Sequence, residues 1–235
     1  MQNVINALRV LEEVAARQPI GVGELARALG LPKSTVQRSL VTLHEAGWIR
    51  PGGEVTRWQV TSKALRLARR TELGLRDAAV PVMEELRQRT GETIHLMVPE
   101  GDAVVLIERL ETDKPLRIVL PLGTRLPLHA SANGKAVLAH LDRTLAELPG
   151  YTDTTITDPR LLRAELAAVA ERGYADNRGE WRSDIAAVAA AILGPAGPVA
   201  SLSVSTPASR MTEELRAEYG KLVRRAAATL GETLG

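Results

Sequence analysis

The sequence predicts an α+β chain of two domains, and three observations carry that prediction. Helical periodicity and one short hairpin occupy the first seventy residues. Alternating strand patterns mixed with helices occupy the rest. Charge divides along the same line: residues 1–70 hold 11 Lys and Arg against 5 Asp and Glu, and residues 71–235 hold 19 against 23. A basic head on an acidic body points to a polyanion as the target of the head.

The first helix is read from Val4, Leu8, Leu11 and Ala15, spaced as one helical face. Pro19 and Gly21 stop it. A second helix runs from Val22 to Leu29 with Leu25 and Leu29 on one side, and Gly30 stands where a helix often ends left-handed. Leu31-Pro32 makes the turn, and Pro32 suits the start of the next helix. That third helix, Lys33 to Ala46, buries Val36, Leu40 and Leu43. Its other face offers Ser34, Arg38 and Thr42, with Gln37 on the flank and Lys33 and Thr35 at its start.

Helix, tight turn, helix is the arrangement in which the second helix of the pair enters the major groove. Arg grips guanine bidentately and Gln does the same for adenine. Gly47 ends the third helix, and Trp48-Ile49-Arg50 and Arg57-Trp58-Gln59-Val60 read as strands around a Pro51-Gly52-Gly53 turn. A hairpin in this place is a wing, with Arg50 and Arg57 available to phosphate. Trp48 is expected to pack the hairpin onto the core. Thr61 reads as the cap of a further helix through Arg70. The DNA-contacting set is therefore Lys33, Ser34, Thr35, Gln37, Arg38, Thr42, Arg50 and Arg57, in a winged helix-turn-helix over 1–70.

Residues 71–90 read as a linker helix anchored by Leu75, Val82 and Leu86, with Pro81 as an irregularity. The second domain spans 91–235. Thr93 to Val98 and Val104 to Leu110 alternate around Gly101-Asp102 and form a hairpin, and Leu116 to Leu120 is a third strand. The loop Gly123 to Ala136 leads into a helix whose first amides favour an anion. A helix over 158–173 follows, then a strand opening at Gly173-Tyr174-Ala175. Strands over Ala186–Leu193 and Val199–Ser205 and a helix over 211–233 complete the chain.

Composition removes several classes. There is no Cys and no Phe, and Trp and Tyr number three each. Disulfides, thiolate metal sites and cysteine nucleophiles are excluded, and the core must be aliphatic. No apolar run reaches the roughly 20 residues that a bilayer requires. Met1-Gln2-Asn3 lacks the pattern of a signal peptide. These features describe a cytoplasmic, nucleoid-associated protein without membrane contact. His95, His129 and His140 are too scattered for a zinc site, so no metal or cofactor is expected.

The motifs resemble the IclR (isocitrate lyase regulator) family of bacterial transcription factors over nearly the whole chain. The anchors are Leu31-Pro32-Lys33-Ser34-Thr35-Val36-Gln37-Arg38, Leu126-Pro127-Leu128-His129-Ala130-Ser131-Ala132-Asn133-Gly134-Lys135-Ala136, Arg172-Gly173-Tyr174, and Ser203 through Arg210. The resemblance implies a GAF-like effector domain, homodimers or dimers of dimers on a pseudo-palindromic double-stranded operator, and repression or activation tuned by a metabolite. Repression is the expected sense. Carried over residue by residue, the effector pocket draws on Ile118, Ala132, Asn133, Asn177, Ala187, Ser203 and Ser205. Ser203 and Ser205 alternate on one strand and so face one side. Their hydroxyls and the amides near Ala132-Asn133 suit a carboxylate. Many relatives carry an acid at Asn177 and a cysteine at Ala187, so a bulkier or more apolar organic acid is expected here.

Two alternatives stand beside this reading. One is an architectural DNA-binding protein whose second domain only dimerises. The other is a hydrolase using His129, Ser131 and Lys135 with Asp176 or Glu180, although no nucleophile elbow, phosphate loop or metal pattern accompanies them.

Overall fold

The protein is described from a computed structural model, over residues 2–52, 56–64, 66–67 and 73–234. The turn residue Gly53, the far end of the helix expected to run to Arg70, and the 71–72 start of the linker lie outside the described residues. Contacts divide the chain into two units, Met1–Leu73 and Gly74–Gly235.

The first unit holds α1 (Gln2–Arg17), α2 (Val22–Leu29), α3 (Lys33–Glu45) and a hairpin of β1 (Ile49–Gly52) with β2 (Arg57–Val60). Gly30 follows α2 at φ 63°, a left-handed conformation that lets its amide close on the Ala26 carbonyl. Pro32 then starts α3, its carbonyl accepting from the amides of Thr35 and Val36. Val36, Leu40 and Leu43 are buried as their spacing requires, together with Val10, Val14, Ile20, Leu25, Ile49 and Trp58.

One expectation fails here. The buried face of α1 is Asn6, Val10 and Val14, while Val4 and Leu8 are 65% and 52% exposed. The apolar stripe at Val4 and Leu8 faces away from the packing surface because Val10 and Val14 enter the core. Trp48 packs the hairpin against the core as expected, and Trp58 joins it from the returning strand. Trp58 is 6% exposed and pairs through its backbone with Ile20. Trp48 is half-buried against the same core, with the Lys63 ammonium 5.0 Å from its ring centroid.

The second unit is built on a six-stranded antiparallel sheet ordered β5-β4-β3-β8-β7-β6. Its strands are β3 (Thr93–Glu100), β4 (Ala103–Leu110), β5 (Arg125–Pro127), β6 (Ala175–Arg178), β7 (Ile185–Gly194) and β8 (Gly197–Pro207). Its helices are α4 (Leu73–Thr90), α5 (Ala132–Leu138), α6 (Pro159–Arg172) and α7 (Glu213–Leu234). Alternation along the strands sorts two faces. Ile94, Leu96, Val188, Ala190, Leu202 and Val204 pack with residues of α4 and α7. The other face presents Ala175, Ala187 and Ala189 to Ala132 and Ala136 of α5 and Val169 of α6.

The expected strand at Leu116–Leu120 is absent. Ile118 and Leu120 are buried and Val119 is exposed, so the strand-like alternation is real. The segment has no ladder partner, however, and the Leu120 carbonyl accepts from the Arg109 guanidinium instead. β5 supplies the sheet edge in its place. α4 is more than a connector: it runs through Pro81 and places Ala79, Met83 and Leu86 in the core of the second unit. No described helix is long and apolar enough to cross a membrane.

Candidate functional site

The first candidate surface is the outer face of α3 with the adjoining hairpin. Lys33, Ser34, Gln37, Arg38 and Thr42 are exposed, Thr35 is half-buried, and Arg50 is exposed on β1. Thr42 donates its hydroxyl to the Arg38 carbonyl at 3.0 Å, which leaves its methyl and lone pairs facing out. Arg57 is placed differently. Its Nε donates to the Pro19 carbonyl at 3.0 Å, and its Nη2 lies 2.8 Å from Glu24 Oε2. The same carboxylate oxygen accepts the Gly21 amide at the start of α2. That amide first, and then Arg57, hold the Glu24 carboxyl below its usual range. Arg57 therefore ties β2 to the start of α2.

The second candidate site lies against the polar, small-residue face of the sheet. Of the seven residues inferred for it, Ile118, Ala132, Asn133, Asn177, Ala187 and Ser205 surround one cavity of about 20 Å³, room for about one water. Ser203 is fully buried, its Oγ has no partner among the described residues, and it does not line the cavity. The wall also includes residues outside the inferred set: His95, Leu120, Leu126, Ser131, Trp181 and Ile185. A signal for His95 existed. Thr93 and His95 alternate against Ile94 and Leu96, so they take the face opposite the aliphatic core.

Most polar groups of the wall are already engaged. Asn177 Nδ2 donates to the Ala130 carbonyl at 2.7 Å, while its Oδ1 accepts the amides of Gly179 and Glu180. A carboxylate at 177 could accept those amides but could not donate to Ala130. Asn133 Nδ2 donates to Ser201 Oγ at 3.0 Å. Ser131 caps α5, accepting the Gly134 amide and donating to the Pro127 carbonyl. His95 Nδ1 lies 3.0 Å from Ser205 Oγ, and its Nε2 has no partner among the described residues. Burial, then the nearby Arg109, lowers the imidazole to about 4, so the ring is neutral near pH 7.

Behind the cavity, Lys135 is only 1% exposed and its Nζ lies 2.7 Å from Glu180 and 3.7 Å from Glu165. Burial raises the Glu180 carboxyl, against the pull of Lys135. His129 Nε2 lies 3.0 Å from the Pro149 carbonyl. The hydrolytic set thus resolves into a loop tether at His129, a helix cap at Ser131 and an ion pair at Lys135. Among the described residues, no group of three or more His, Asp or Glu is placed to hold a metal.

Comparison with known proteins follows the same division of the chain. The family model for the IclR helix-turn-helix domain matches residues 4–52, and that for the bacterial transcriptional regulator IclR C-terminal region matches residues 68–231. The HTH-type transcriptional regulator BhcR of Paracoccus denitrificans is 38% identical over 88% of this chain and 78% of its own. The transcriptional repressor IclR of Escherichia coli is 30% identical over 97% of this chain and 88% of its own. The crystal structure of the Thermotoga maritima IclR superposes with a TM-score of 0.84 at 28% identity, covering 100% of this chain and 99% of that one. An IclR homolog from Microbacterium hydrocarbonoxydans, complexed with 4-hydroxybenzoate, gives 0.83 at 27% identity over 99% and 98%.

Proposed function

Because the chain belongs to the IclR family of bacterial transcriptional regulators, and so is a DNA-binding regulator, we propose that it is a repressor released or retuned by a small, partly apolar organic acid. The domains we assign are 1–70 for DNA, 71–90 as linker and 91–235 for the effector. α3 reads bases through Arg38 and Gln37, with Lys33, Ser34, Thr35 and Thr42 beside them and Arg50 on phosphate. One such helix makes few base contacts, so a homodimer or dimer of dimers on a pseudo-palindrome completes the site.

The observation that carries the effector reading is the cavity. Ile118, Leu120, Leu126, Trp181 and Ile185 offer a carbon skeleton an apolar wall, and His95 and Ser205 offer its polar end hydrogen bonds. A surface serving only for dimerisation has no need of this combination. The relative crystallised with 4-hydroxybenzoate supports an acid of that size. Such a ligand exceeds 20 Å³, so its binding displaces part of the wall. His95 and Ser205 face the cavity, while their neighbours Ile94, Leu96 and Val204 face the α4 layer. Displacement on one face is thereby felt by the helix that leads to the DNA-binding unit. Coupling requires different ligand affinity for two arrangements of the protein. Thermal-shift measurements of the full chain against monocarboxylic acids test the reading. Stabilisation by an acid, abolished by a bulky Ala187→Leu substitution, supports it; indifference to every acid contradicts it.

A further inference from the structure

His95 occupies a singular place in the wall. It is 1% exposed, its Nδ1 is held by Ser205, and its Nε2 is unpartnered among the described residues. Ser131 and Asn177, by contrast, already have both their donor and acceptor functions met within the protein. Among the described residues no Lys or Arg lines the cavity, and His95 is its one ionisable residue. A carboxylate taken into such a space without a countercharge is strongly disfavoured. A countercharge made at the site removes that cost.

We propose that His95 is the specificity-determining residue of the cavity, and that an acid binds as a carboxylate paired with a His95 imidazolium formed on binding. The inference rests on the organic-acid reading above and adds the residue and the charge state. The ligand enters as its carboxylate while the ring takes a proton from solvent, or as the free acid that hands its own proton to the ring. Either way, one proton is gained per site relative to carboxylate in solution. Nε2–H then donates to the carboxylate and Nδ1–H to Ser205 Oγ, which frees the serine hydroxyl to donate to the ligand.

The surroundings fit a ring that is neutral until a ligand arrives. Arg109 of β4 stands opposite His95 in register, and its guanidinium is tied to Glu111 at 3.0 Å and to the Leu120 carbonyl. On β8 the neighbours are Ser203 and Ser205, and on α5 Asn133, all uncharged. Burial, and then Arg109, opposes protonation, and together they outweigh Glu111, which favours it. A ligand carboxylate reverses the balance.

The test is calorimetry on the full chain with four acids: pyruvate, benzoate, 4-hydroxybenzoate and octanoate. Near pH 7 each titration is repeated in phosphate, HEPES and Tris, whose ionisation heats differ. The tightest acid is expected to take up about one proton per site, and its Kd to tighten about tenfold per unit as pH falls from about 8 to 6. His95→Gln keeps a hydrogen-bonding group but cannot carry the charge, and should show a flat pH profile with weakened binding. The buffer dependence is read on the wild type and needs no variant to fold. Equal heats in all buffers, or unchanged affinity in His95→Gln, overturn the role of His95 and leave the organic-acid reading standing. If none of the four acids binds, the organic-acid reading falls and takes this inference with it.

Discussion

The ammonium of Lys135 lies 2.7 Å from the carboxylate of Glu180, with 1% and 8% of the two side chains exposed. The pair joins α5 to the loop after β6 that carries Trp181 to the cavity. Removing one partner leaves a buried charge uncompensated, which costs about 3–5 kcal/mol, whereas replacing both by apolar residues is often close to neutral. Lys135→Met should therefore lower the denaturation midpoint of the second unit sharply. Lys135→Met with Glu180→Leu should recover most of the loss. A double variant no more stable than the single would contradict the pairing.

Three arginines of the first unit, Arg38, Arg50 and Arg57, should behave differently on DNA. Arg38→Ala should weaken binding to a preferred duplex by about 1–3 kcal/mol and relax preference at one base pair. Arg50→Ala should weaken binding to all sequences alike and reduce the salt slope by about 1. Arg57→Ala should leave the salt slope unchanged, because its guanidinium is held by Glu24 and Pro19. Affinity measured across a salt series separates the three, and a reduced slope for Arg57→Ala would return that residue to the phosphate contacts.

These contrasts mark what the sequence could and could not carry. The stripe of α3 was legible because Val36, Leu40 and Leu43 recur at core spacing among mostly polar neighbours, with Val41 alone apolar and exposed. On α1 apolar residues lie on more than one side, and periodicity alone cannot tell which side meets the rest of the unit. The segment at Ile118–Leu120 shows that alternation reports burial, whereas a strand also needs a partner for its backbone. Asn177 is held by Ala130, 47 residues away, and Arg57 by Glu24, 33 residues away. Such pairings exist only once the chain has folded. Resemblance to relatives located the cavity region, but it said nothing of His95, whose importance comes from an unpartnered nitrogen that no sequence pattern displays.

Gly134 is required by close packing. A Cβ there would sit 2.5 Å from Leu128 Cα and 2.6 Å from its carbonyl oxygen, and closer still to the Pro127 carbonyl. All three are backbone atoms that cannot turn aside. Gly134→Ala should push α5 off the 127–128 segment and cost about 1–3 kcal/mol, as overpacked cores do. Thermal denaturation of the variant measures it, and an unchanged midpoint would mean that the helix and loop are not packed this closely.

Stability should also follow the titration of His95. Its imidazole is lowered to about 4 by burial and Arg109, against an ordinary value of 6.5. Between these values the unfolded chain binds more protons than the folded one, so stability rises with pH there. The contribution is fully present above about pH 6.5 and is lost progressively toward pH 4, amounting to about 3 kcal/mol. Denaturation of wild type and His95→Gln across this range should give curves that converge as the pH falls. Parallel curves would place the imidazole in contact with solvent.

On the proposed function, one chain reads DNA and changes its grip when an acid binds. Selecting duplexes from a random pool with the full chain, then measuring affinity for the selected duplex at fixed salt with and without the tightest acid, tests it most directly. A pseudo-palindromic consensus is expected, with an affinity that changes several-fold with the acid in wild type and a diminished response in His95→Gln. A consensus without two-fold symmetry, or an affinity that stays constant while calorimetry shows the acid bound, would contradict it.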